Sequence, residues 1–288
     1  MEFADILDQN GLQRRDVALA LHKVPTASGR VALAGLVETD IDAFEAYQST
    51  HAAGPEATVR KRAIMASFLA LPDGELCFVG LYRRRGEAPV TVEGLRGDAA
   101  FMRMVAAVDP DVQLESLATR ARFSFDRMDE MAELRGRLVV ADPGGRAYMR
   151  LAETTCLPVL ELRRTWGLTP PAPDWQGFVV TAELVRSLPS TWAARLREWR
   201  GVYLIVDERD GARYVGSAYG AENLLGRWRS HVARDRGVTV ELQRRDPATF
   251  RFSILELVAP TARAEDVVAL ESLWKERLHT RRFGLNAN

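Results

Sequence analysis

Cysteine occurs only twice in the 288 residues, at Cys77 and Cys156, far apart and in neither a CxxC nor a Cys/His spacing. That leaves no disulfide framework and no thiolate-held zinc cluster, and it predicts two free thiols buried among apolar neighbours in a reducing compartment. Long apolar runs are also missing: none approaches the roughly 20 residues that span a bilayer. The opening MEFADILDQNG is acidic and helical rather than a signal peptide, so the cytoplasm is the expected location and no membrane partner is expected. Lysine is scarce, with only Lys23, Lys61 and Lys275 among 39 basic residues, and these balance 39 acidic ones to a net charge of zero. There is no internal repeat or low-complexity tract, and the first half carries no P-loop, GxGxxG, HExxH or GxSxG motif that would assign it a chemistry.

What is present suffices for ordinary folded domains, since an apolar content of 47% is ample for cores and the length allows two domains. The neutral total hides an asymmetry. From residue 178 onward there are 18 Lys/Arg against 14 Asp/Glu, a balance of +4, leaving 21 against 25, or −4, before it. Most of the excess lies between Arg227 and Arg245, a pattern that suits either a polyanion partner or a plain solvated face. The stretch RTWGLTPPAPDWQG, with three prolines and two glycines, stops regular structure. The expected division is therefore a domain over 1–164, a linker over 165–177 and a second domain over 178–288.

In the first domain, FADILDQN and DIDAFEAYQST have helical spacing, and AIMASFLALPDGELCFVGLYRRRG reads as two strands around a Pro-Asp-Gly turn. PVTVEGL reads as a strand and DAAFMRMVAAV as a helix capped by Asp98. RGRLVVADPGGRAYMRLAE reads as a hairpin turning at DPGG, and PVLELRR closes the sheet, giving an α+β domain. In the second domain, Thr181 caps a helical stretch broken at Pro189. The order β-β-α-β-α that follows predicts a three-stranded antiparallel sheet flanked by helices.

The residues that carry chemistry lie in this second part. GVY at 201–203 and YVG at 214–216 place a tyrosine on each of two neighbouring strands. GRWRSH places Arg227 and His231 four apart on one helix face, with Trp228 turned away to pack. ALESLWKERL contributes Glu271 and, four residues on, Lys275, and GLNAN contributes Asn286. Gly216 and Ser217 open a small-residue turn where a phosphate or another backbone could come close. Phosphodiester cleavage needs an activated water, a Lewis acid and stabilised charge on phosphate, and these residue types provide all three.

In this order and spacing the set resembles the GIY-YIG nuclease superfamily over about residues 200–288, with Val202 and Val215 where isoleucine is usual. The first half carries no such resemblance. The resemblance implies an endonuclease that hydrolyses phosphodiester bonds in DNA, with an additional domain directing specificity, in a setting of restriction, repair, recombination or phage defence. It implies Glu271 as the sole protein ligand of one Mg²⁺ or Mn²⁺ ion, and Tyr203 as the group that activates water with help from His231. Arg227 would clamp phosphate, Tyr214 would orient it, Lys275 would neutralise its charge and Asn286 would hydrogen-bond the substrate backbone. A nucleic-acid-binding protein with weak catalysis, and a nuclease acting on RNA, are the alternative readings. Arg229, Arg234, Arg236, Arg244 and Arg245 have no place in the motif, and neither do His22 and His51.

Overall fold

A computed structural model describes residues 1–235 and 239–286, so Arg236 lies outside the described residues. The chain divides into two compact units, Met1–Pro170 and Pro171–Asn288. No helix among the described residues is long and apolar enough to cross a membrane.

The first unit opens with α1 (Phe3–Gln9) and β1 (Val17–His22). β1 pairs in parallel with β2 (Ile64–Ala70), which obliges the chain to cross over the sheet between them. It does so through α2 (Ala27–Thr39), α3 (Ile41–Tyr47) and α4 (Ala53–Arg60). β3 (Leu76–Pro89) returns antiparallel to β2 after a turn in which Gly74 takes φ +90. α5 (Val92–Gly97) and α6 (Ala99–Val108) follow, the second capped by the Asp98 carboxylate. β4 (Ala121–Arg127) and β5 (Leu138–Val140) both pair with β3, β6 (Met149–Leu151) with β1, and β7 (Val159–Leu162) with β5.

Both faces of this sheet are covered. Val17, Leu19 and Leu21 of β1 join Phe3 and Leu7 of α1 in one core, while Ala18 and Ala20 face Leu33, Phe44 and Phe101 in the other. A strand buried on both sides shows no apolar–polar alternation, which is why β1 does not announce itself in the sequence. Two further expectations are corrected. Residues 138–151 do not form a hairpin: β5 and β6 stand at separate places in the order β6-β1-β2-β3-β5-β7, and the glycines at φ +71 and +76 redirect the chain rather than reverse it. The stretch read as a strand at PVTVEGL is α5, because the Thr91 hydroxyl caps it by accepting from Gly94 N–H. Of the two thiols only Cys77 is buried. Cys156 is exposed and donates to Glu2 Oε1 at 2.9 Å.

The second unit starts with β8 (Val179–Thr181), α7 (Ala182–Arg186) and α8 (Ser190–Glu198), with the Thr181 hydroxyl capping α7 and Pro189 separating the helices. Next come β9 (Arg200–Asp207), β10 (Arg213–Ala218), α9 (Asn223–Ala233) and α10 (Val240–Gln243). β11 (Phe250–Val258), α11 (Ala264–Arg277) and α12 (Thr280–Phe283) complete it. The sheet order is β10-β9-β11-β8, all antiparallel. The expected three strands are its body, and β8 adds a short fourth at the edge. Asp207, at the turn end of the β9–β10 hairpin, is fully buried and accepts from Arg209, from Arg245 at 2.8 Å and from the Thr249 hydroxyl at 2.8 Å. Burial alone would raise its pKa, but these hydrogen bonds outweigh it and hold the carboxyl well below the usual range.

His22 and His51 are buried in the first unit, and burial pushes their pKa down to about 3 and about 4. The folded rings stay neutral where the unfolded chain, titrating near pH 6.5, takes up protons. Stability therefore falls as pH drops from about 6.5 toward about 4, by about 1.4 kcal/mol per pH unit for each ring. Thermal melts near pH 7 and near pH 5 are expected to show this loss, with a smaller slope in His22→Gln.

Candidate active site

Two glycines set the geometry. Gly216 stands opposite Tyr203 in the β9–β10 register, and Tyr214 lies two residues away on the same face. A Cβ at Gly216 would lie 2.5 Å from the ring carbon bearing the Tyr203 hydroxyl and 2.9 Å from Tyr214 Cε1. The Tyr203 phenol therefore rests over bare backbone of the edge strand β10. Gly201 meets the other constraint: β11 bulges between Ile254 and Glu256, and the Glu256 carbonyl occupies the place of a Gly201 side chain. Gly216 thus serves close packing of the phenols.

From the helix side, α9 delivers Arg227, Trp228 and His231. Trp228 is fully buried, 6.4 Å ring to ring from Tyr203 and 5.4 Å from Phe252. His231 turns its Nε2 to the Tyr203 hydroxyl at 2.7 Å, both groups being withdrawn from solvent, and its ring lies 5.5 Å from that of Tyr214. Burial first, and the Arg227 charge second, push the His231 pKa down to about 3, so the ring is neutral at ordinary pH. Its Nδ1 has no partner among the described residues, and the same is true of Arg227 Nε. Burial also raises the pKa of Tyr203 and, less far, of Tyr214, while the nearby Arg227 guanidinium counters part of both rises.

Ser217 is next along β10 and by strand alternation points to the opposite face. There its hydroxyl donates to Glu271 Oε2 on α11, and the Lys275 ammonium meets Glu271 Oε1 at 2.8 Å. The Glu271 charge is felt across the edge strand, where it contributes to the raised pKa of Tyr214 and, more weakly, of Tyr203. The candidate residues are thus gathered in two electrostatically linked groups, phenols with Arg227 and His231 on one face, and Glu271 with Ser217 and Lys275 on the other.

Asn286 belongs to neither group. It is almost fully buried, accepts from Val215 N–H at 2.9 Å and donates to Val215 C=O at 2.8 Å. Its amide closes the open edge of β10 as one more rung of a ladder, helped by Leu285 N–H donating to Arg213 C=O at 2.8 Å. Expected to hydrogen-bond substrate, its amide is engaged here by the β10 backbone. Sequence reasoning missed that edge closure and the buried Asp207 anchor. An Asp ending an apolar strand before a polar turn, as in LIVDERDG, is the one available signal for the anchor.

A phenol and a neutral imidazole in contact, beside fixed positive charge, can relay a proton off a water near a phosphate. Residues 200–286 match the GIY-YIG catalytic domain, and this part of the chain is a GIY-YIG-type endonuclease domain. Two solved structures are also similar. A mutant form of the catalytic domain of intron endonuclease I-TevI is 25% identical over 31% of this chain and 94% of that one, with a TM-score of 0.27. The catalytic domain of homing endonuclease I-TevI is 26% identical over 31% and 98%, with a TM-score of 0.26. No curated protein matches the chain.

Gly216→Ala is expected to displace the Tyr203 phenol and cost about 1–3 kcal/mol by overpacking. Asn286→Ala is expected to cost about 1–3 kcal/mol by leaving both Val215 backbone groups unpaired. Denaturant titration of the two variants, with nicking rates alongside, checks both.

Proposed function

We propose that the chain is a metal-dependent endonuclease that hydrolyses phosphodiester bonds in DNA, with the first unit directing specificity. The observation that carries the reading is the 2.7 Å contact between the buried Tyr203 hydroxyl and a neutral His231 Nε2. A phenol with a raised pKa is a poor base alone. It can accept a proton from the attacking water as it passes its own to His231, whose unpartnered Nδ1 leaves the ring tautomer free to follow. Arg227 clamps non-bridging phosphate oxygens through its planar fork, and Tyr214 orients the phosphate.

Glu271 suits a divalent cation. Among the described residues no group of three or more metal-ligating side chains exists, so a cage is not on offer. One carboxylate with water and substrate oxygens is the manner in which Mg²⁺ binds, and Mn²⁺ fits the same donors. The Lys275 ammonium at 2.8 Å already places one positive charge on this carboxylate, and Ser217 adds a hard oxygen. When bound at Glu271, one such ion would supply Lewis-acid charge at the scissile phosphate. Lys275 would then be released toward phosphate. Arg229 and Arg244 form no ion pair among the described residues and extend positive charge for a nucleic-acid backbone, whereas Arg245 is held by Asp207 and Asp210.

Incubation with plasmid, single-stranded DNA and RNA, with Mg²⁺, Mn²⁺ or EDTA, tests the reading. Metal-dependent nicking of DNA that disappears in Glu271→Ala is expected; cutting confined to RNA, or tight binding without cutting, would replace it. Tyr203→Phe is expected to lower turnover by about 10²–10⁴-fold while leaving DNA affinity within about twofold. Because His231 is held neutral, kcat at saturating metal is expected to show no inflection near the ordinary histidine pKa of about 6.5. An inflection there that vanishes in His231→Gln would refute the lowered His231 pKa, and a His231→Gln variant with unchanged turnover would refute the relay.

A further inference from the structure

The first unit has a half-open cavity of about 570 Å³, within the ~300–1,000 Å³ range of small-molecule sites. Its wall carries the rings of His22, Tyr47, His51, Phe101 and Tyr148, backed by aliphatic side chains of α6 such as Val108. His22 and His51 are each more than nine-tenths buried, and the Nε2 of each has no partner among the described residues. The other nitrogen of His51 is engaged at 3.2 Å by the Tyr148 hydroxyl. Two orphaned ring nitrogens buried among these aromatic rings cost about 1–3 kcal/mol each until something pairs with them.

Chemistry narrows the occupant. Both rings are held neutral, so they offer a donor or acceptor edge and not a charge. A purely aliphatic ligand would leave the two nitrogens orphaned, and a sugar or simple anion would wet the aromatic wall. A flat heterocycle with apolar faces and a polar edge meets both demands. Arg120 and Arg146 also line the cavity and form no ion pair among the described residues, whereas Lys23 is held by Asp142 at 2.6 Å. Asp109 is the acidic group on the lining.

We propose that this cavity is a nucleotide site, with the base among the rings, its polar edge toward His22 and His51 Nε2, and its phosphate against Arg120 and Arg146. The nucleotide comes either free or turned out of a strand; only the second source rests on the nuclease reading above. The site would then let the first unit select substrate by one extruded base, or gate the enzyme by a free nucleotide.

The test uses the full chain carrying Glu271→Ala, in EDTA, so that binding is read without cleavage and stands or falls apart from it. Calorimetric titration is run with each free mononucleotide and with a hairpin duplex containing one unpaired nucleotide, against the fully paired duplex. Saturable binding of at least one mononucleotide, or about tenfold tighter binding of the hairpin with the unpaired nucleotide, is expected. Either signal is expected to weaken at least about tenfold in Arg120→Ala and in Val108→Trp, which fills the cavity from its half-buried rim, with melting temperatures confirming both folds. Preference among duplexes assigns the extruded source, and response to mononucleotides alone assigns the free one. No saturable binding and no preference, or signals that survive both variants, would overturn the site.

Discussion

The hydrogen bond between Tyr203 and His231 imposes its demands on the rest of the second unit. It needs a phenol laid flat over a strand, hence a glycine across the register at 216. It needs a neutral imidazole, hence a ring sunk against Tyr203 and Tyr214 and under the influence of Arg227. It needs strand and helix to hold still, hence the Asp207 network that ties the turn of the hairpin to Arg245 and Thr249. Each condition limits one part of the sequence, and together they account for why small, aromatic and charged residues alternate so closely between 201 and 231.

β10 has an unusual position for a strand at a sheet edge. Its two faces carry different groups, the phenol–imidazole contact on one and the carboxylate–ammonium pair on the other, and its backbone edge is closed by a side chain instead of another strand. An open edge row of N–H and C=O groups is otherwise a template for unwanted pairing. Here the closure also fixes the height of Val215, and so of the flanking Tyr214 and Gly216.

Much of the second unit was legible because its signals are local. A polar turn between two apolar runs announces β9 and β10, and four-residue spacing places Arg227 with His231 and Glu271 with Lys275 on shared helix faces. What was not legible depends on docking between distant segments. The pairing of Asn286 with Val215 spans 71 residues and leaves no pattern in either neighbourhood. In the first unit β1 hides because both its faces are buried, and the DPGG turn chemistry is real while the strand pairing inferred from it is not. His22 and His51 share no spacing rule, yet the crossover of α2 and α3 brings both rings to one cavity.

The amide at residue 286 has a temporal implication. A ribosome delivers it after all of the other candidate site residues, and until it arrives the Val215 backbone lacks this partner. The arrangement of the candidate site is therefore completed by a residue translated after Tyr203, His231 and Glu271, so that a chain still emerging, or one released early, carries the motif without its closed strand edge.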